Sequence, residues 1–320
     1  MDGWKSPALL VLDSGNALFA NAGVATDADR KRATFVFTVM EELGTRAMAV
    51  GQRDLSSGTA FLEQLAKGKK IKLLSANLQR DGKRIFDAST IIEVNGVKVA
   101  FVGLTTPGPV APNEPKVMAQ PTVAAAKEAL AALGPRDVTV VIAATSYADA
   151  MQLSTELGAS VDFIIQSGEF RGTQPPQRLD EKSSVLLASA QKGQALAKLD
   201  VTLGNGKGAF VDLSVIDRDR QQVTFVAEQI KTLEDRLKLA KDKAATKSAD
   251  SSAGGLDQLK ETLAGMKKRK ADLDAQVSKK IAPGSKTFGF GWTLLGSDVV
   301  DEPKMKARVL EIDPAYSGSH

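Results

Sequence analysis

The sequence predicts an α/β sandwich of mixed sheets carrying a long antiparallel helical hairpin. Three observations lead there. Up to Ile216, short apolar runs alternate with amphipathic stretches, the order that builds helix-covered sheets. Several of these runs end in polar, glycine-containing turns: Leu9–Leu12 before Asp13-Ser14-Gly15-Asn16, and Arg46–Val50 before Gly51-Gln52-Arg53-Asp54-Leu55. Buried parallel strands deliver site residues to the carboxyl edge of a sheet in this way. From Val223 onward, apolar residues recur at alternating spacings of three and four on two arms, the seam of paired helices.

Composition bounds the answer further. The 320 residues are 43% apolar and 25% charged, ordinary globular values that leave room for two domains or one domain with an appendage. No apolar run approaches the ~18 residues of a membrane span. With no cysteine there is no disulfide, thiolate metal site or thiol nucleophile. The single histidine is His320, so histidine-based catalysis and imidazole metal ligation are excluded from the body of the chain. Met1-Asp2-Gly3-Trp4 has no basic or apolar leader character, and residues 317–320, Ser-Gly-Ser-His, read as a tag remnant. The expectation is either a cytoplasmic protein or one whose export signal is not in this stretch, and the tag remnant favours the second.

In order along the chain, the strand Leu9–Leu12 is followed by a helix capped at Thr26 or Asp27 and running to Leu43, with Phe35, Val39 and Met40 inward. Gly44 ends it. A strand over Arg46–Val50, a helix over Thr59–Leu65 with Phe61, Leu62 and Leu65 inward, and a strand over Ile71–Ser75 come next. Ser89–Val94 and Val97–Leu104 flank Asn95-Gly96, the dipeptide of a type I′ hairpin turn. A proline-rich loop extends to Pro121. Helices are expected at Val123–Leu133 and Ala150–Leu157, and strands at Val138–Ala143, Phe163–Ile165, Ser184–Ser189, Ala197–Leu203 and Ala209–Ile216.

The order of turns resembles the calcineurin-like metallophosphoesterase domain of the 5′-nucleotidase family. Asp13-Ser14-Gly15-Asn16 matches that family's Asp-Gly-Asp turn, and Gly51-Gln52-Arg53-Asp54-Leu55 its Gly-Asn-His-Glu-Phe turn. Ser75-Ala76-Asn77 and Val102–Pro107 match two further blocks. Ala144-Thr145-Ser146 falls on a Leu-Ser-His turn, and Asp162–Phe170 on an Asp-x-Ile-Ile-Gly-Gly-His-x-His block. The resemblance covers about residues 8–216. It implies an exported protein, an αββα sandwich of mixed sheets and a site built on two divalent cations that activate water against a phosphate ester.

The matched positions depart from the family where the metals would bind. Asn16 and Gln52 replace the family's aspartate and asparagine ligands, and its histidines read Arg53, Ser146, Gly168 and Phe170. An upstream Asp-x-His block is absent. A two-metal site needs several anionic or imidazole ligands around ions ~3.5–4 Å apart, and this set does not supply them. Asp13, Asn16, Gln52, Arg53, Asp54, Asn77, Ser146 and Glu169 are thus expected to mark a vestigial site. In that site the Arg53 guanidinium is expected to pair with carboxylates in place of the lost cations. A competing expectation is an oxygen-only site for Mg²⁺ or Ca²⁺ at Asp13, Asp54 and Glu169. Ser146, beside Tyr147 and Asp149, reads as a helix cap rather than a nucleophile.

The remainder reads as an appendage. Val223, Val226, Ile230, Leu233, Leu237, Ala240 and Ala244 form one seam, and Leu256, Leu259, Leu263, Met266, Lys270, Leu273 and Val277 the other, around a polar tip at Lys247–Gly255. The expected division is residues 1–216 for the sandwich, 217–282 for the coiled-coil hairpin, and 283–316 for a segment returning to the sandwich. Lysine and arginine exceed acidic residues by about four over 217–281, which accounts for the net charge of +4. Lys267, Lys268, Arg269 and Lys270 are the candidate partner-binding cluster, for an acidic protein or an anionic membrane surface. No aromatic residues interleave these cations, which argues against nucleic acid. The functional expectation is a non-catalytic binding or assembly module, acting on a protein partner or on itself through the hairpin. The alternative is a phosphoesterase with an unusual oxygen-ligand site or with ligands outside this stretch.

Overall fold

The computed structural model describes residues 8–169, 174–180, 183–188, 194–205, 208–246, 253–280, 283–296 and 299–314. The chain divides into two compact units, one of residues 1–198 with 291–320 and the other of residues 199–290.

In the first unit, β1 (Val11–Asp13), β2 (Thr45–Ala49) and β3 (Lys72–Leu74) form a parallel sheet in that order. Helix α1 (Asp27–Glu42) precedes β2, and α2 (Thr59–Ala66) precedes β3. Thr26 caps α1 with a full capping box: its hydroxyl accepts the Asp29 N–H, and the Asp29 carboxylate accepts the Thr26 N–H. Ala33 and Phe37 of α1 and Leu62 of α2 are buried against Met48, Val50 and Leu73. The buried face of α1 is therefore turned from the expected one. Phe35 is only half-buried and lies under the guanidinium of Arg308, which comes from a helix more than 260 positions later in the chain.

Next come β4 (Leu78–Arg80), β5 (Lys83–Arg84), β6 (Ser89–Val94), β7 (Val97–Thr105), β8 (Gly108–Pro109) and β9 (Val117–Ala119). The proline-rich stretch is not all loop, because β8 and β9 join β4 and β5 in a small antiparallel sheet. The turn between β6 and β7 is as expected, with Asn95 and Gly96 both at positive φ. Helix α3 (Thr122–Ala132), β10 (Val138–Ala144), α4 (Tyr147–Leu157), β11 (Phe163–Gln166) and β12 (Val185–Ala188) complete a five-stranded sheet in the order β12-β11-β10-β7-β6. All pairings in it are parallel except β6 with β7.

Every residue of β10 is buried. Alternation along a strand sends successive side chains to opposite faces. Val141 and Ala143 pack with Ala126, Leu130, Ala150 and Leu153 of α3 and α4, while Val140 and Ile142 are buried on the other face. Helices thus cover the outer face of each sheet, giving the metallophosphoesterase-like α/β sandwich. After β13 (Ala195–Thr202), β14 (Val211–Asp212), α5 (Leu213–Thr246), α6 (Ala253–Lys280) and β15 (Thr287–Leu294), helix α7 (Pro303–Ile312) packs on α1. Both terminal guanidinium nitrogens of Arg308 bond the Glu42 carboxylate there, at 2.7 and 3.0 Å.

The second unit is built on α5 and α6, two long helices packed as a hairpin. The expected strand Ala209–Ile216 is corrected. Only Val211–Asp212 is extended, and α5 starts at Leu213, where the Asp212 carboxylate takes the Ser214 N–H at 2.8 Å. Phe210, Ile216, Val226, Ile230 and Phe288 are the buried residues among those described in this unit. The seam residues named from the sequence are shielded on both helices, Lys270 among them, save Ala244, whose side chain lies outside those described. Of the expected polar tip, 247–252 lies outside the described residues, and Ala253–Gly255 already belongs to α6. No helix among the described residues is long and apolar enough to cross a membrane.

Candidate functional site

The carboxyl ends of the parallel strands in both sheets bring the matched turns together, the usual place for a site in such folds. Asp13 ends β1, and its carboxylate accepts the Gly15 N–H at 2.7 Å. Asn16 follows at positive φ. Beyond β2, residues Arg53–Ser57 form a tight 3₁₀ turn that presents Asp54 inward. Asp54 is fully buried. One of its oxygens accepts the Asn16 and Gly51 N–H groups at 2.7 and 2.8 Å, and the other accepts the Leu18 N–H at 3.0 Å. A single carboxylate therefore ties the β1 turn to the β2 turn.

Asn16 makes the return connection. Its side-chain oxygen accepts the Arg53 N–H at 3.0 Å, and its amide nitrogen reaches the Ser167 carbonyl at 3.5 Å. The turns are packed closely enough that a Cβ on Gly51 would lie 2.5 Å from the Asn16 side-chain oxygen. On the far side, the Ser167 hydroxyl donates to the Ser14 carbonyl. A Cβ on Gly168 would lie 2.0 Å from the Thr145 carbonyl oxygen, so backbone occupies the space that any side chain there needs.

Asn77 is completely consumed by structure. Its amide donates to the Thr105 and Gln120 carbonyls at 2.7 and 2.8 Å, and its oxygen accepts the Thr105 N–H at 2.8 Å. The Thr105 hydroxyl in turn donates to the Val50 carbonyl at 2.6 Å. This network joins the ends of β3, β7 and β2 and leaves Asn77 nothing to offer a ligand.

The expected Arg53 ion pair is corrected. Arg53 has no carboxylate within ion-pair distance among the described residues, and its guanidinium reaches the Ala20 carbonyl at 3.4 Å. Backbone N–H groups satisfy Asp54 instead, so a cation is not required there. Arg53 acts on Asp13 only through its field. Burial pushes the Asp13 carboxyl above its ordinary value, and the Gly15 N–H and Arg53 pull it back. Burial pushes Asp54 up to about 6, with the N–H donors opposing and the neighbouring Asp13 adding to the rise.

Glu169 is exposed, and its carboxylate accepts the Tyr147 N–H at the head of α4, at 3.1 Å. Ser146 caps α4 by accepting the Asp149 N–H at 3.1 Å. Gln52 sits at the start of the 3₁₀ turn and makes no capping bond. Phe170 lies outside the described residues. Among those described, no group of three or more histidine, cysteine, aspartate or glutamate side chains converges as a metal cage.

The two cations implied by the fold do not suit this donor set. The Asp54 oxygens face N–H donors, Asn16 is engaged on both ends, and Gly168 carries no ligand atom. Two residues of the site escape sequence reasoning: Thr105, and Gln166, whose amide donates to the Thr145 and Glu169 carbonyls at 2.8 and 3.2 Å while its own oxygen is buried without a partner. Both lie within matched blocks, Val102–Pro107 and Asp162–Phe170, and a polar residue ending an otherwise apolar strand is the signal that could have singled them out.

Comparison with known proteins agrees with this architecture. Protein UshA of Yersinia enterocolitica is 34% identical over 100 residues, covering 31% of this chain and 18% of that protein. A 5′-nucleotidase of Vibrio cholerae is 32% identical over 100 residues, covering 31% of this chain and 17% of that protein. The sandwich is 5′-nucleotidase-like. The match spans less than a fifth of the length of these curated relatives. The solved structure of the Thermus thermophilus sulfate thiohydrolase SoxB in complex with glycerol superposes with a TM-score of 0.51 at 22% identity, covering 62% of this chain and 36% of that chain. That likeness concerns the fold of the 5′-nucleotidase-like unit. No family model matches the chain.

Proposed function

We propose that the chain is a non-catalytic relative of the 5′-nucleotidases, acting as a binding or assembly module of an exported protein. The observation that carries this reading is the donor set at the matched positions: Asn16 is bonded at both ends, Gly168 has no ligand atom, and three backbone N–H groups fill the Asp54 carboxylate that the oxygen-only alternative would need. The packing of Gly168 against the Thr145 carbonyl supports it, since a histidine there has no room. Vestigial turns then serve as cross-links of the sandwich. The hairpin is the binding element. Of its cation cluster, Lys267 pairs with Glu234 and Lys270 with Asp274, each at 2.7 Å, which leaves Lys268 and Arg269 as the exposed charges for a partner protein, a second copy or an anionic membrane surface.

The test is hydrolysis of a chromogenic phosphate ester and of nucleotides with Mg²⁺, Mn²⁺, Zn²⁺ or Ca²⁺ supplied in turn. The expected result is no turnover above buffer. Turnover that disappears in Asp13→Ala would overturn the reading in favour of a phosphoesterase. Light scattering of the chain with and without 223–281 reports whether the hairpin drives self-association.

A further inference from the structure

At the edge of the sandwich opposite the vestigial turns, the amino ends of β2 and β3 and the strand β6 border a cleft of about 200 Å³. Arg46, Lys70 and Lys72 line it, together with Thr90, Ile92 and Glu93. None of the three cations forms an ion pair with a described residue, although ion pairs are common on the rest of this surface. Glu41, close by, is bonded by the Lys69 ammonium at 2.7 Å and by the Lys70 backbone N–H at 3.3 Å, and the Lys70 ammonium reaches it only through its field. Glu93, on the facing strand, stands opposite Lys98 in the β6–β7 ladder.

Three like charges brought around one small cleft repel one another, and an anion entering the cleft relieves that repulsion while being attracted by all three. The guanidinium of Arg46 supplies a fork suited to two oxygens of one oxyanion, and the lysines supply movable point charges. Thr90 adds a hydroxyl, and the buried Ile92 closes the back of the cleft. The volume suits a few oxyanion groups and not a folded partner.

We propose that this cleft binds a small multivalent oxyanion, one carrying two or more phosphate or carboxylate groups, held by Arg46, Lys70 and Lys72. The site is separate from the vestigial turns and does not depend on their chemistry.

Calorimetric titration of the full chain with inorganic pyrophosphate and, separately, with citrate tests this, and the two arms tell a phosphate ligand from a carboxylate one. Saturable one-to-one binding of either is expected, weakening as salt is raised. Arg46→Ala and Lys72→Ala, both at exposed positions, should each weaken it roughly tenfold or more, since each removes a charge-assisted hydrogen bond. Glu93→Gln should tighten binding by removing a like charge. Lys238→Ala, an exposed position on the hairpin, should leave it unchanged. Absence of saturable binding of both anions, or binding indifferent to Arg46→Ala and Lys72→Ala, would overturn the proposal and leave the cations as guards of the sheet edge.

Discussion

At the carboxyl edge of the sandwich, Asp54 and Asn77 are wholly buried, and their polar atoms are spent on backbone groups of other turns. Along the hairpin, the seam residues of α6 from Leu256 to Val277 are only half-buried, and the ion pairs sit at the surface. The first region is held by directional bonds that tolerate no missing partner. The second is held by shallow apolar packing that is repeated and individually replaceable. The matched turns and the hairpin are thus stabilised by different physics, and substitutions should reveal the contrast.

The largest effect is expected at Asn77. Asn77→Ala strips partners from the Thr105 N–H and two carbonyls in the core, at about 3–5 kcal/mol by urea unfolding of the sandwich. A loss under ~1 kcal/mol would mean that water replaces the carboxamide, and the contrast would fail.

Asp54 comes next, through pH. Its carboxyl is raised from 3.8 in the unfolded chain to about 6 in the folded one, so the folded state holds the proton more tightly. The resulting stability is fully present below about pH 4 and is lost as pH rises through about 6, a change on the order of 3 kcal/mol. Asp54→Asn lacks this titration. The stability advantage of the native chain over Asp54→Asn should therefore shrink between pH 4 and 7. An advantage that grew over that window would show that the three N–H donors outweigh burial.

In the hairpin, Leu263→Ala should cost about 1 kcal/mol, because a half-buried leucine leaves its space open to solvent and forms no cavity. A cost as large as that at Asn77 would erase the distinction between the regions. The smallest effect is expected at Lys270, a charge in an apolar seam. Lys270→Leu should add about 0.5 kcal/mol or less, since tighter apolar packing in the seam is offset by loss of the surface pair with Asp274. A drop in helicity by circular dichroism would instead assign that lysine a structural role.

Much of the fold was legible in order and type. Strand-ending turns, the Asn95-Gly96 hairpin and the two seams carry local signals that survive folding, because alternation and 3,4 spacing report which face must leave water. Legibility failed where a distant segment made the decision. Phe35 looks like a core residue of α1, yet its cover is Arg308. The short strands β8 and β9 hide among prolines, since β9 forms by pairing with the distant β4 and β8 then pairs with β9. At Ala209–Ile216 an apolar run suited strand and helix alike, and the helix prevailed once Asp212 supplied a start signal.

The site divides in the same way. The sequence by itself determined which residues stand at the six matched turns, and with them the absence of imidazole and thiolate ligands, because those are questions of residue identity. It also determined which side of each hairpin helix is apolar. Only the tertiary structure decided where the charge of Asp54 is satisfied. Arg53 adjoins it in the chain and was the natural partner on paper. Three backbone N–H groups from residues 16, 18 and 51 bond it instead, and their positions are set largely by the strands and turns that carry them. A flexible guanidinium must give up rotamer freedom to reach a buried acid, whereas a pre-organised N–H gives up nothing. That difference settled the partner of Asp54.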